Sequence, residues 1–157
     1  MQFWTKEEYL KFAEVMMDKP RSYYAFELLY WTGIRSGELL ALTPSDFDFE
    51  NQTLRINKTF HRSKGEDIIT TPKTVKSNRI ITLPPFLCDE IKDYLGMFYE
   101  IGESERMFSF TKSYLGHEME RGCKESGVKK IRIHDLRHSH VSLSQGYFWD
   151  SLSDCLR

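Results

Sequence analysis

Near the C-terminal end, the stretch Ile133-His134-Asp135-Leu136-Arg137-His138-Ser139-His140 gathers three histidines, an aspartate and an arginine within eight residues. Two chemistries suit such a set. The spacing His134-Asp135-x-x-His138 matches, superficially, the H-E-x-x-H pattern that brings two imidazoles to one helical face around zinc. The general base of that pattern is glutamate, however, and aspartate is one methylene shorter; Arg137 would also place a fixed cation where a dication should sit. No third ligand is identifiable from spacing. Phosphate fits the same residues better, because Arg137 offers a planar, permanently charged fork and His134 exchanges a proton near neutral pH.

A phosphate site needs further cations converging from elsewhere. Arg35 follows Gly33 at a junction between helices, and Ser36-Gly37-Glu38 opens the next helix, so a guanidinium and free backbone N–H groups meet there. Lys73 stands between Pro72 and Thr74 in a loop between two strands, placed to reach over a substrate. Residue types alone leave a plainer reading open for each of them. An isolated arginine is usually salt-bridged, an isolated loop lysine solvated, and three close histidines commonly have no role.

The elements that must position these groups are readable from periodicity. Thr5-Lys6-Glu7-Glu8 is a capping box, and Tyr9, Phe12, Ala13 and Met16 follow at helical spacing up to about Asp18. SYYAFELLYWTG is apolar nearly all round and ends at Gly33, predicting a buried central helix with a glycine C-cap. SGELLAL predicts a short helix capped by Ser36 and ended at Thr43-Pro44. Three strands follow, TLRINKTFHR, DIITTPK and NRIITL; the turn Ser63-Lys64-Gly65 makes the first two a hairpin that the third completes as a small antiparallel sheet. Pro84-Pro85 opens a helix with Leu87, Ile91, Leu95 and Phe98 on one face, and residues 113–126 form another, closed at Gly127. Strands grouped in one block between helices predict an α+β fold, mostly helical with a small three-stranded antiparallel sheet.

Composition bounds the rest. The 157 residues, 40 % hydrophobic and 29 % charged, fit one soluble domain, with no apolar run long enough for a membrane span. Cys88, Cys123 and Cys155 are far apart and odd in number, giving neither zinc spacing nor a disulfide framework. With no signal-peptide pattern at the start, a cytoplasmic protein is expected. A net charge of −1 argues against a wholly basic surface but allows a local basic face for nucleic acid.

Three segments together resemble the tyrosine recombinases, the phage integrase family. TGIRSGELLAL at 32–42 is similar to that family's first arginine box, PKTVKSNRIITLP at 72–84 to its lysine-bearing β-hairpin, and IRIHDLRHSH at 131–140 to its H-x-L-R box, in the family's order. The resemblance, over residues 3 to about 142, implies a DNA breaking-rejoining catalytic domain. A tyrosine would attack a scissile phosphate, forming a 3′-phosphotyrosyl link and freeing a 5′-hydroxyl, with no metal or other cofactor. It implies catalytic roles for Arg35 and Arg137 as the clamp on the non-bridging oxygens, Lys73 as general acid to the leaving oxygen, and His134 in proton transfer with the nucleophile. Arg35, Lys73, Arg137 and His138 are the expected DNA contacts; Glu38 is expected to orient an arginine or loop, and His140 to pack or face DNA. The implied partners are a double-stranded DNA recombination site and other recombinase protomers.

The last residues depart from that pattern. The family continues with an L-G-H segment and its tyrosine some thirty or more residues beyond the second arginine, whereas twenty residues follow Arg137 here. Leu115-Gly116-His117 imitates the L-G-H but precedes the second box, and Tyr147 is only ten residues past Arg137. The expectation is therefore an incomplete catalytic domain over 1–141 and an aberrant tail over 142–157, the reading frame being damaged after about Val141 or the chain cut short. Such a chain would lack the nucleophile, so beside the implied site-specific DNA recombination stands an alternative, a catalytically inactive DNA-binding or partner-binding remnant of an integrase. Apolar surface bared near the C-terminus would favour homo-oligomers, and DNA binding without the family's separate N-terminal domain would be weak and steeply salt-dependent.

Overall fold

The computed structural model describes residues 2–71 and 78–146, the side chains of 144–146 excepted. Helix α1 (Lys6–Met16) starts where the capping box places it: the Glu8 amide donates to Thr5 Oγ1 at 3.3 Å and the Thr5 amide to Glu8 Oε1 at 3.0 Å. Helix α2 (Pro20–Thr32) has proline in its first turn and ends at Gly33, whose left-handed φ of 71° turns the chain out of the helix. Tyr24, Ala25, Phe26, Leu28, Leu29 and Tyr30 of α2 are all buried, so this helix is the centre of the core. Tyr9 of α1 stacks on Tyr30 with ring centroids 3.8 Å apart, and Phe12 meets Phe26 edge-on at 4.9 Å.

Helix α3 (Ser36–Leu40) is a single short turn and a half. The expected Ser36 cap is shifted by one residue. Arg35 occupies the cap position and Ser36 is already helical, because the Glu38 carboxylate reaches back to take the Arg35 amide at 2.8 Å. One of the backbone N–H groups expected to be free for an anion is thereby occupied.

The strands also rearrange the expected set. The stretch 53–62 is two strands, β2 (Thr53–Ile56) and β3 (Thr59–Ser63), interrupted at Asn57-Lys58, where Lys58 Nζ turns to the buried Asp46 carboxylate. Strand β3 pairs with β4 (Glu66–Thr70) across Lys64 and Gly65, both at positive φ (52° and 78°), the type I′ geometry that suits a two-residue hairpin. Strand β5 (Arg79–Thr82) pairs with β2, Leu54 opposite Ile81, rather than with the hairpin. The third member of that sheet is β1 (Phe47–Asp48), giving the antiparallel order β1-β2-β5. Burial of both Leu54 and Ile56 explains the choice: β2 has a complete inner face, while on β3 only Phe60 is buried.

Helices α4 (Pro85–Gly96), α5 (Lys112–Ser126) and α6 (Asp135–Gly146) complete the α+β fold. Gly127 ends α5 in the left-handed conformation, as its position predicts. Helix α5 lies so close to α1 that a Cβ at Gly122 would sit 2.3 Å from Phe12 Cε2, so only glycine admits that crossing. Helix α6 runs on past Val141 to Gly146. Among the described residues no helix is long and apolar enough to cross a membrane.

Candidate active site

The opening of α6 divides IHDLRHSH between two faces. Asp135, Leu136 and Ser139 point inward and are buried. Asp135 accepts from the Arg132 amide at 3.0 Å and from its guanidinium at 3.1 and 3.2 Å, which closes the turn leading into the helix. Ser139 Oγ receives the Trp4 amide at 2.9 Å, tying the helix to the start of the chain. His134 is exposed in the turn before α6, and Arg137 and His138 are half-buried. The His134 and His138 rings meet edge to face at 5.4 Å. Asp135, which would supply the carboxylate of a zinc pattern, is committed to Arg132 on the other side. Among the described residues no group of three or more His, Cys, Asp or Glu side chains is arranged to hold a metal ion.

Arg137 faces α3 and β5. Its Nη1 is buried and, among the described residues, has no hydrogen-bond partner. Burial first, and then the positive charges of Arg35 and Arg79, push its guanidinium below the ordinary arginine range, against the pull of Glu38. Four side chains therefore share one region: Arg35 and Glu38 from the α2–α3 junction, Arg79 from β5 and Arg137 from α6. Glu38 is their hub. Its carboxylate takes Arg79 Nη1 at 2.9 Å and Nη2 at 3.1 Å in a two-pronged pair, the Arg35 amide at 2.8 Å, and Arg35 Nη1 at 3.8 Å. Burial opposes its charge, yet Arg79 and the Arg35 amide hold the carboxyl below its ordinary range.

Of the residues singled out in the sequence, Arg35 and Arg137 come together, with Glu38 bracing an arginine as expected. Lys73 and Tyr147 lie outside the described residues. His117 is exposed on α5, an ordinary helix position. His140 is a packing residue, its Nδ1 2.9 Å from the Tyr30 carbonyl. Arg79 was not singled out in the sequence. The available signal was Glu38 itself, an acid in the first arginine box that needed an arginine to hold.

The profile of the phage integrase family matches residues 2–143. This chain belongs to the phage integrase family. The ICEBs1 integrase of Bacillus subtilis (strain 168) is 31 % identical over 160 residues, spanning 91 % of this chain and 43 % of that protein. The integrase of Staphylococcus phage L54a is 32 % identical over 136 residues, 76 % of this chain and 38 % of its own length. The chain thus spans about two-fifths of these integrases. Among solved structures, the Tn1549 transposon integrase in complex with a circular intermediate DNA superposes with a TM-score of 0.79 at 20 % identity, over 97 % of this chain and 55 % of that one. XerA recombinase gives 0.74 at 20 % identity, over 98 % of this chain and 52 % of that one. The integrase fold accounts for the helices around a small antiparallel sheet.

Proposed function

We propose that the chain carries the phosphate-handling half of a site-specific DNA recombinase that acts through a phosphotyrosine intermediate. The observation that supports this most directly is the buried Nη1 of Arg137, without a hydrogen-bond partner among the described residues, beside two further guanidinium groups. An anion with several oxygens satisfies that nitrogen and offsets the clustered charge, and a DNA phosphodiester has both properties. Arg35 and Arg137 grip the non-bridging oxygens and stabilise the charge that grows on them as phosphorus becomes pentavalent. A tyrosine oxygen forms the new bond to phosphorus while the bond to the 5′-oxygen breaks. The tyrosine proton passes to His134, and Lys73 delivers a proton to the departing oxygen. No metal or other cofactor enters this scheme. His138 contributes a DNA contact next to His134, and double-stranded DNA and further recombinase protomers are the partners.

Fluorescence anisotropy with a labelled duplex tests the phosphate reading. The parent protein should bind with affinity that falls steeply as salt rises. Arg137→Ala should weaken binding and lower the slope of log affinity against log salt by ~0.9, the contribution of one phosphate. Unchanged affinity and slope in both Arg35→Ala and Arg137→Ala would refute it. A nicked suicide duplex reports separately on cleavage, through a covalent protein–DNA adduct.

A further inference from the structure

Helix α2 must end abruptly to deliver Arg35, and an abrupt end leaves carbonyls without partners. The Gly33 amide takes Leu29 O at 3.1 Å, and the Ile34 amide, which would continue the helix by taking Tyr30 O, turns instead to Thr32 Oγ1 at 3.4 Å. Tyr30 O is then reached from α6 by His140 Nδ1 at 2.9 Å. A carbonyl only accepts, so Nδ1 carries the proton and the imidazole is held as one tautomer. The same ring lies close against Gly33: a Cβ there would come within 2.7 Å of His140 Cδ2 and 3.1 Å of Cγ. Glycine at this position therefore serves both the left-handed turn and the approach of the ring.

His140 stands one helical turn beyond Arg137, and Gly33 stands two residues before Arg35. The contact between them is thus a rivet between the two segments that carry the arginines. We infer that His140 is a positioning residue: by capping α2 from α6, it sets where Arg137 stands relative to Arg35. Burial outweighs the Tyr30 carbonyl bond and, with the nearby Arg137 charge, holds its imidazole below the ordinary histidine range. The cap consequently adds no positive charge to a region that already has three guanidinium groups.

This inference rests on the phosphate-clamp reading, and three variants separate the two. His140→Asn keeps a side-chain N–H close to the Nδ1 position, His140→Leu fills the space without a donor, and Arg137→Ala removes the clamp. Urea denaturation first shows which variants fold. Duplex binding is then measured across a salt series. The expected result is that His140→Leu binds several-fold more weakly with a slope lower by ~0.9, as if one phosphate contact were lost, while His140→Asn follows the parent. If His140→Leu keeps the parent's affinity and slope while Arg137→Ala loses them, the positioning role is overturned and the clamp stands. If Arg137→Ala also keeps them, the clamp fails and the positioning role with it. Should His140→Leu not fold, a loss of slope in folded His140→Asn overturns the claim that the donated hydrogen bond is what matters, and parent-like binding supports it.

Discussion

Glu38→Gln removes the carboxylate that stands among the Arg35, Arg79 and Arg137 guanidinium groups. Its oxygens lie 2.9 and 3.1 Å from the two terminal nitrogens of Arg79, and its side chain is only 4 % exposed. Deleting one partner of a buried ion pair costs roughly 3–5 kcal/mol, because the other charge remains desolvated. Glutamine still offers an oxygen to the Arg35 amide, which points to the lower end, about 3 kcal/mol. Arg79→Met leaves the buried Glu38 carboxylate to the Arg35 amide and the more distant Arg35 guanidinium, and should cost a similar amount, about 3 kcal/mol. The double variant leaves neither. Its loss should fall short of the summed single losses by about 2 kcal/mol, within the range for residues in contact. Equilibrium urea denaturation at neutral pH, with unchanged m-values, reads all four corners of the cycle. Inorganic sulfate gives a second reading: Glu38→Gln frees its neighbours to hold an anion, so sulfate should stabilise it more than the parent. A Glu38→Gln loss below ~0.5 kcal/mol, or single losses that simply add, would refute the view that this pair braces the site.

Two further predictions concern buried acids away from the arginines. Glu118 on α5 is bound by Arg121 Nε at 2.7 Å and Ser22 Oγ at 2.6 Å; burial opposes its charge, yet these partners and Lys19 hold its carboxyl down to about 2. A depressed folded-state value contributes stability above the unfolded range that fades as pH falls, so Glu118→Gln should lose about 3 kcal/mol at pH 7 and far less near pH 2 in urea melts. Glu27 on α2 has the opposite shift. Burial, then the adjoining Glu90 carboxyl, raise its value, while Tyr9 Oη donates to it at 2.5 Å. The folded state therefore holds a proton that the unfolded chain releases, and stability should fall as pH rises above the ordinary glutamate range, by at most ~1.4 kcal/mol per unit. Glu27→Gln should flatten that decline, and an unchanged slope between pH 5 and 8 would refute the protonated assignment.

Local rules made much of this fold legible. The Thr5–Glu8 box, Gly33, Gly127 and Gly65 of the hairpin turn each act over a few residues, and each does what its residue type predicts. Strand pairing was less legible. Phe47-Asp48 is too short to show any alternation, and its place beside β2 follows from the buried face of Leu54 and Ile56. The site divides in the same way. Arg137 and Arg35 are recognisable by type and by the boxes around them. Arg79 is not, because its meaning depends on Glu38, 41 residues earlier, and the roles of Ser139 and His140 depend on Trp4 and Tyr30, 135 and 110 residues away.

Charge favours an anion over a metal ion at IHDLRHSH, in line with the proposed phosphate site. A metal ion brought to this face would meet Arg137, whose guanidinium is already strained by burial and by Arg35 and Arg79, and it would find the Asp135 carboxylate spent on Arg132. An anion would meet the reverse: among the described residues, an Arg137 Nη1 that is buried with no acceptor, beside the Arg35 and Arg79 guanidinium groups that Glu38 braces. Glu38 neutralises part of their charge without closing the site, because its oxygens point to Arg79 and to the Arg35 backbone rather than to Arg137 Nη1. Glu38 thus holds Arg35 and Arg79 in place while leaving the buried Arg137 Nη1 free of it. Under the proposed phosphate reading, these donors stand in place before charge develops on the phosphate oxygens, which is what electrostatic preorganisation requires.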